Sequence, residues 1–289
     1  MGQYDFGIFW RAGQAVWMGQ DPYTVAGFFY PLPAAYLFAV LAAVPQPVAY
    51  WAWLAFNLGL LVIKLRRRLA RWALYFPLLH FFSSGQVSAL LWVLATSLTS
   101  GPLSAAAAAV ITLKPQVAFI VLPWTLWHWF RGDRRTLVTW LGLTVALWSI
   151  PMLIDPTWPI RWRAAAPHLD LATRGNTPGL WSLEPVMPRA TPFFVVVSTV
   201  LFAWGTLQEQ PIAWASAALA NPAGLFYTLT NLMDTAPAWL IVPASWIAVG
   251  LSLAFHSFAP WMLLPMLVIA YHRRDTLRSF LGHRCKNAA

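Results

Sequence analysis

Eight polar residues lie within or beside long apolar stretches of this sequence, and their side chains are the first candidates for chemistry. An ionisable group surrounded by apolar sequence is costly and is therefore a functional candidate. Carboxylates can act as general bases, and lysine or arginine can bind phosphate. The eight residues are Asp5, Arg11, Asp21, His80, Gln86, Lys114, Gln116 and Asp234.

The carboxylates have both catalytic and structural interpretations. Asp5 could take a proton from an attacking hydroxyl beside a cavity. It also stands where the N-cap of a helix would be, and spacing alone favours that cap. Asp21 begins Asp-Pro-Tyr, which is typical of a turn. Asp234 is expected at an aqueous boundary.

Lys114 interrupts two apolar segments as Lys-Pro-Gln. A lysine there can supply a point charge for a phosphate, but a lysine that extends from a helix end to water gives the same pattern. Both interpretations stay open. His80 and Gln86 flank Ser-Ser-Gly and could line a polar pocket, although hydrogen bonding to a helix turn is the commoner role.

Several known site patterns are absent from the sequence. It has no Walker loop, dinucleotide fingerprint, HExxH motif or CxxC pair. The absence of Asp-x-Asp argues against a metal-bound nucleotide-sugar site, and the six histidines are scattered. No metal or cofactor is therefore expected. The single cysteine, Cys285, excludes a disulfide framework.

The elements that position these residues are expected to be membrane helices. Of 289 residues, 59% are hydrophobic and only 10% are charged, which is too apolar for a soluble domain. We predict an all-α fold, a polytopic transmembrane bundle over 1–289 with roughly 9–12 membrane segments, several of them short or broken. The apolar segments lie near 34–44, 48–65, 72–83, 87–99, 102–113, 116–130, 136–154, 191–207, 212–221, 224–236, 238–255 and 258–271.

The charges predict a topology. Basic clusters at 66–71, 131–135 and in the tail 272–289 are typical of cytoplasmic loops, so the C-terminus is expected in the cytoplasm. Anchoring beside the membrane explains the net charge of +10 more simply than nucleic-acid binding. Two regions, 1–29 and 155–190, are then predicted to be outer loops.

The first outer region, 1–29, carries apolar residues at helical spacing, which is typical of a helix lying in the membrane interface. An odd number of crossings must separate this region from Arg131, yet six segments precede that residue. Either one short segment, with 72–99 as the first candidate region, is re-entrant or interfacial, or the division into six segments is wrong. The stripe consists of Phe6, Phe9, Trp10, Gly13, Val16 and Trp17.

The motifs in order resemble those of glycosyltransferase family 87, polyprenol-phosphate-dependent mannosyltransferases of the C-type (GT-C) superfamily. Asp5-Phe6 with nearby aromatics is similar to the start of the family's first outer loop, and Gly-Gln-Asp-Pro-Tyr at 19–23 and Tyr-Pro-Leu-Pro at 30–33 follow it. The family normally has Tyr-Pro-Pro there, and a membrane helix before the aspartate, where this sequence has four residues. Gly-Gln-Val at 85–87, Lys-Pro-Gln at 114–116, Asn-Pro at 221–222 and Tyr227 continue the resemblance.

The resemblance implies transfer of a sugar, most naturally mannose, from a polyprenyl-phosphate donor to an acceptor hydroxyl on the outer face of the cell membrane, the plasma or inner membrane. It implies that Asp5 is the catalytic base, which reverses the preference from spacing. Asp21 and Tyr23 would shape the site together with Tyr30, Gln86 and Gln116. The cations that could stabilise the leaving phosphate are, in order, Arg11, Lys114, Arg161 and Arg163.

Two other classes of function stay open. The chain could be a catalytically inactive GT-C-like subunit that retains the fold within a larger complex of membrane subunits. A transporter would predict paired inverted repeats, and the sequence contains none. Membrane lipid and the lipid-linked donor are the expected partners, and nucleic acid is not.

Overall fold

The structure is a computed structural model, and it describes residues 4–165 and 177–274. Regular structure in these ranges is entirely helical. The sequence candidates at 166–176 and 275–289, including Cys285, lie outside the described residues. The α-helices are α1 Tyr4–Trp17, α2 Leu32–Ala42, α3 Gln46–Leu65, α4 Leu69–Trp72, α5 Phe76–Ser84, α6 Ser88–Ala95, α7 Pro102–Ile111, α8 Pro115–Gly132, α9 Arg134–Ile154, α10 Trp158–Ala165, α11 Thr191–Thr206, α12 Gln210–Ala220, α13 Ala238–Phe255 and α14 Leu263–His272.

Short 3₁₀ helices connect or extend several of these elements. They are Pro22–Thr24, Arg66–Arg68, Leu180–Leu183, Pro188–Ala190, Phe226–Leu232 and Ala259–Met262. The segment predicted at 224–236 is thus a 3₁₀ helix rather than an α-helix. The hydroxyls of Thr228 and Thr230 bond to the carbonyls three residues earlier, which competes with regular α-helical geometry.

Within the described residues, four helical stretches are long and apolar enough to cross a membrane. Large apolar side chains on them, such as Leu141, Val195 and Leu253, are exposed. Exposed apolar helices of this length satisfy their backbone internally and are suited to lipid. The predicted all-α polytopic bundle is therefore confirmed. The four stretches are Gln46–Trp72, Arg134–Ile154, Pro188–Thr206 and Ala238–Phe255.

The bundle has two chemically different ends. We call the end that holds the clusters 66–71 and 131–135 the basic end, where Arg68 pairs with Asp234 at 2.6 Å. Helix α9 has 21 residues and is therefore about 31 Å long. It runs from the basic end to Asp155. Asp155 and Asp21 both pair with Arg161. We call this opposite end the Asp5 end.

Helices α1 and α2 form an antiparallel pair at the Asp5 end. A Cβ on Gly13 would lie 2.6 Å from the backbone of Phe38, so the two helices touch through glycine. Trp10 Nε1, in the first half of α1, donates to Val44 O just after the end of α2 at 3.1 Å. A helix does form within 1–29, and because α2 covers it, Ile8 and Ala12 are buried along with Phe6 and Phe9, whereas Trp17 at the end of the predicted stripe is 65% exposed.

Both ends of α2 lie beside α1, so α2 is the apolar segment that does not pass between the two ends. Five passes then precede Arg131: α3, α4 with α5, α6, α7 and α8. The odd number that the charges require is thus obtained, and the position of 72–99 relative to a membrane stays a prediction. That region is short because Pro77 opens α5 and Gly85 closes it with φ of 72°.

Candidate active site

A cavity of about 310 Å³ opens at the Asp5 end. Its wall is built from α1, the segment before α2, the turn after α5, the start of α8 and the segment that enters the 3₁₀ helix Phe226–Leu232. A volume near 300 Å³ is at the lower limit of ligand pockets, so the cavity suits one small ligand. The lining residues are Asp5, Ile8, Phe9, Gly27, Phe29, Tyr30, Gln86, Gln116, Thr177, Ala223, Gly224, Leu225 and Tyr227.

Asp5 lies in the first turn of α1, because the helix begins at Tyr4. The N-cap predicted from spacing is therefore wrong. The half-buried carboxylate forms no hydrogen bond or ion pair with any residue in the described parts of the chain. Ile8 and Phe9 follow it by three and four positions and share its side of the helix, which is why all three line the cavity.

Lys114 lies in the turn between α7 and α8, outside the spanning helices, and is only 2% exposed. Its Nζ donates to Gln86 Oε1 at 2.9 Å and to Ser88 Oγ at 3.3 Å. The ammonium also lies 4.5 Å from the centre of the Tyr227 ring, which is a cation–π distance. The lysine therefore does not extend to water.

The electrostatics of Lys114 follow from this burial. Loss of solvent lowers the pKa of Lys114 to about 7, while the nearby Asp5 carboxylate raises it. An ammonium with a pKa near neutrality is a poorly solvated charge that gains most from an anionic partner. The interpretation of Lys114 as a point charge for phosphate is thus the one that its surroundings favour.

Gly85 positions Gln86. It has φ of 72°, and a Cβ there would lie 2.6 Å from Phe6 Cβ, so only glycine fits both the left-handed backbone and the contact with α1. Trp53 Nε1 holds the turn by donating to Gly85 O at 3.1 Å. The chain then places Gln86, which is 2% exposed, between Lys114 and the cavity.

Two tyrosines complete this wall. The Tyr227 hydroxyl contacts the Tyr30 hydroxyl and the Gln86 amide, and the Tyr30 ring lies 4.7 Å from the Phe9 ring. Tyr30 was predicted from the sequence as a site residue. Tyr227 was not predicted as a site residue, although the resemblance to the family motifs already included it.

Arg161 is not a free cation. Its guanidinium pairs with Asp21 at 2.7 Å and also with Asp155, and it lies 5.9 Å from the centre of the Tyr23 ring. Burial raises the pKa of Tyr23 above its ordinary value, so this phenol stays neutral. Arg161, Asp21 and Tyr23 do not line the cavity. The two carboxylates hold the guanidinium outside it.

The same region supports the cavity wall indirectly. Trp162 Nε1, on α10, donates to Phe29 O at 3.0 Å. Earlier in the same connecting segment, Asp21 accepts from Tyr23 N at 3.0 Å and so caps the turn that its Asp-Pro-Tyr motif predicted. We call the group Asp21, Tyr23, Asp155 and Arg161 the outer tie. It holds the segment that carries Phe29 and Tyr30.

Of three other residues predicted for the site, one lines the cavity and two do not. Gln116 lines the cavity. Arg11 and Arg163 are exposed and lie away from it. Arg11 follows Asp5 by six positions, which turns it about 240° around α1, so the sequence expectation of a phosphate contact at Arg11 or Arg163 receives no support from the geometry. Thr177, which no motif identified, lies on the cavity wall.

A second, apolar cavity of about 110 Å³ adjoins the first. The two share Phe9 and Tyr30, and Lys114 lines the apolar one. Leu37, on the same wall, is 52% exposed, so the apolar cavity leads from Lys114 towards the surface of the bundle. The other lining residues are Ala34, Phe38, Leu41, Trp53, Val87, Leu90, Leu91, Val110 and Leu113.

Comparison with known proteins identifies the family. The family model of glycosyltransferase family 87 matches residues 28–181, which include Tyr30, Gln86 and Lys114, while Asp5 precedes the match. No curated protein and no solved structure matches the chain. The matched region is more than half of the sequence, and we conclude that the chain belongs to glycosyltransferase family 87 and is a membrane glycosyltransferase.

Proposed function

We propose that this protein is a GT-C glycosyltransferase that transfers a sugar, with mannose as the first candidate, from a polyprenyl-phosphate donor to an acceptor hydroxyl. The observation that carries the proposal is the pairing of groups at one cavity. A carboxylate without a partner in the described chain, Asp5, lines it, and a buried ammonium, Lys114, lies behind Gln86 on the same wall.

The step needs only these two charges. Asp5 takes the proton of the acceptor hydroxyl, and the oxygen forms a bond to the anomeric carbon of the donor. The bond from that carbon to the phosphate oxygen breaks, and its electron pair leaves with the phosphate. Lys114 stabilises the charge that develops there. Attack opposite the leaving group inverts the anomeric carbon, and the activated phosphate makes a metal or cofactor unnecessary.

The apolar cavity supports a lipid-linked donor. A polyprenyl tail must enter from the bilayer, and the path beside Leu37 is apolar from the surface to Lys114. A phosphate at the end of such a tail would meet the ammonium where the two cavities adjoin. A water-soluble nucleotide-sugar donor would gain nothing from this path.

The orientation follows from the basic end. Lysine and arginine accumulate on the cytoplasmic side of membrane proteins, so we propose that the basic end faces the cytoplasm and that the C-terminus lies there too. The Asp5 end then faces the outside of the plasma or inner membrane, where a polyprenyl-phosphate sugar is used.

Substitution of Asp5 tests the proposal. Asp5→Asn keeps the size of the side chain and removes the base, so transfer from a radiolabelled polyprenyl-phosphate mannose should fall by about 10²–10⁴-fold. Asp234→Asn is the matched control at the basic end, where its backbone has φ of 68° and asparagine fits well. This control should transfer as the unsubstituted protein does.

Two outcomes would contradict the proposal. Equal transfer by Asp5→Asn and the unsubstituted protein would exclude Asp5 as the base. A complete absence of transfer from polyprenyl-phosphate mannose and glucose, together with purification at fixed stoichiometry with another membrane protein, would favour the alternative of an inactive accessory subunit.

A further inference from the structure

Gln116 and Thr177 each contribute a buried oxygen atom to the cavity wall, and neither oxygen is hydrogen-bonded to the described part of the chain. Gln116 Oε1 and Thr177 Oγ1 have no hydrogen-bond partner within residues 4–165 and 177–274. Both residues line the cavity, and Thr177 is only 2% exposed. Buried polar atoms without partners are costly and rare in folded proteins, so a ligand in the cavity is their natural partner.

The position of Gln116 is fixed by its surroundings. Gln116 lies in the first turn of α8, and its backbone carbonyl accepts from Asn221 Nδ2 at 2.9 Å. Asn221 Oδ1 accepts from Ala223 N at 3.0 Å. A Cβ on Gly224 would lie 3.3 Å from the Asn221 side chain, so this segment packs closely. The side chain of Gln116 is thus presented by a rigid wall.

Thr177 is held by separate contacts to the end of α12. A Cβ on Gly179 would lie 2.4 Å from Leu219 O, so the backbone two residues after Thr177 lies directly on α12. Trp181 Nε1 donates to Ala220 O at 3.0 Å. Two independent elements therefore present unpartnered oxygen atoms to one cavity.

The chemistry of this wall indicates a neutral ligand rich in hydroxyls. Gln116 and Thr177 are uncharged, and their oxygens can accept from hydroxyl groups. The rings of Phe9, Tyr30 and Tyr227 line the same cavity and offer apolar faces to a sugar ring. We infer that Gln116 and Thr177 bind hydroxyls of the transferred hexose and determine which hexose is accepted. This inference rests on the proposed function.

Binding of free sugars tests the inference without relying on turnover. Methyl α-mannoside, α-glucoside and α-galactoside are titrated into purified protein and followed by ligand-observed NMR. Gln116→Met and Thr177→Val keep shape and remove the polar atom, so each should weaken the preferred hexoside by about ten-fold. Thr199→Val is the matched control, because that hydroxyl bonds to Val195 O on an exposed helix face, and its binding should be unchanged.

The result that overturns the inference is equally direct. If no methyl hexoside binds the unsubstituted protein, or if Gln116→Met and Thr177→Val bind the preferred one as the control does, these residues do not recognise the sugar. Size-exclusion profiles of each variant verify that it is folded.

Transfer kinetics separate this inference from the proposed function. Polyprenyl-phosphate mannose and its four monodeoxy analogues serve as donors. Each variant should lose about 10–100-fold in kcat/KM on the parent sugar and nothing further on the analogue that lacks the bound hydroxyl. Equal losses on every donor would contradict the subsite. Sugar binding that is sensitive to both variants, in a protein that transfers none of the donors, would support the subsite and contradict the transfer reaction.

Discussion

At the residue scale, Asp5 and Lys114 differ in what surrounds them, and this difference is the basis of the roles proposed for them. The Asp5 carboxylate lines the open cavity without a hydrogen bond to the described chain, so it is available to take a proton. The Lys114 ammonium is held by Gln86 and Ser88 and lies 6.0 Å from the centre of the ring of Tyr30, which lines both cavities, and this position suits a fixed charge for a leaving phosphate.

Lys114→Met keeps the length of the side chain and removes its charge. We expect kcat for sugar transfer to fall by about 10²–10³-fold, because a preorganised charge is lost where negative charge develops. Lys64→Met makes the same change at the basic end, where Lys64 Nζ bonds to Thr96 O, and should leave kcat unchanged. Equal kcat values in the Lys114 and Lys64 variants would contradict the assigned role.

The pH dependence of kcat/KM should report the protonation of Lys114. Burial lowers the pKa of Lys114 to about 7, and the protonated form is the one that binds phosphate. The rate should therefore fall as the pH rises through this value. Lys114→Arg, which stays charged, should remove that alkaline limb whatever its residual activity, and persistence of the limb in this variant would show that another group titrates.

Residue types predicted the site only in part. Asp5, Tyr30, Gln86 and Gln116 line the cavity as expected, and for the last three a neighbouring glycine or proline fixes the backbone. Arginine is different, because sequence does not show which carboxylates a guanidinium will meet. Arg161 is compensated in the outer tie for that reason.

At the element scale, the outer tie joins α10 to the segment that carries Phe29 and Tyr30. Arg161 bridges Asp21 and Asp155, which come from two regions far apart in sequence. The outer tie lies outside the cavity. Any effect that it has on sugar transfer must therefore come through the position of Phe29 and Tyr30 in the cavity wall. Small displacements of a site can cost up to about 10²-fold in rate.

A double-mutant cycle measures this coupling. Arg161→Met and Asp21→Asn should each lower kcat/KM by about ten-fold, and the double variant should lose little more, because both single changes break the same contact between Arg161 and Asp21. Arg189→Met, an exposed arginine at the same end, should transfer normally. Fully additive losses in the double variant would show that the two residues act independently.

At the scale of the whole molecule, hydrophobic pattern predicted most of the bundle. Helices such as α9 and α13 appear within two residues of their expected bounds, because long apolar runs have one stable form in lipid. The pattern could not show that α2 stays at the Asp5 end. An apolar segment of 11 residues has the same composition whether it crosses or packs on α1.

Cysteine accessibility tests the path of α2. After Cys285→Ser removes the single cysteine, Met18→Cys and Val44→Cys should both react with an impermeant maleimide on one side of the membrane, since their side chains are 59% and 42% exposed. Arg67→Cys should react only from the other side. Labelling of Val44→Cys from the same side as Arg67→Cys would mean that α2 crosses.

The most direct test of the whole account is a cryo-electron microscopy map of the protein with a bound polyprenyl phosphate. We predict density for the phosphate about 3 Å from Lys114 Nζ, with the tail in the apolar cavity that passes Leu37 and the carboxylate of Asp5 facing the phosphate across the larger cavity. A phosphate bound elsewhere, for example among the arginines of the basic end, with both cavities empty would contradict it.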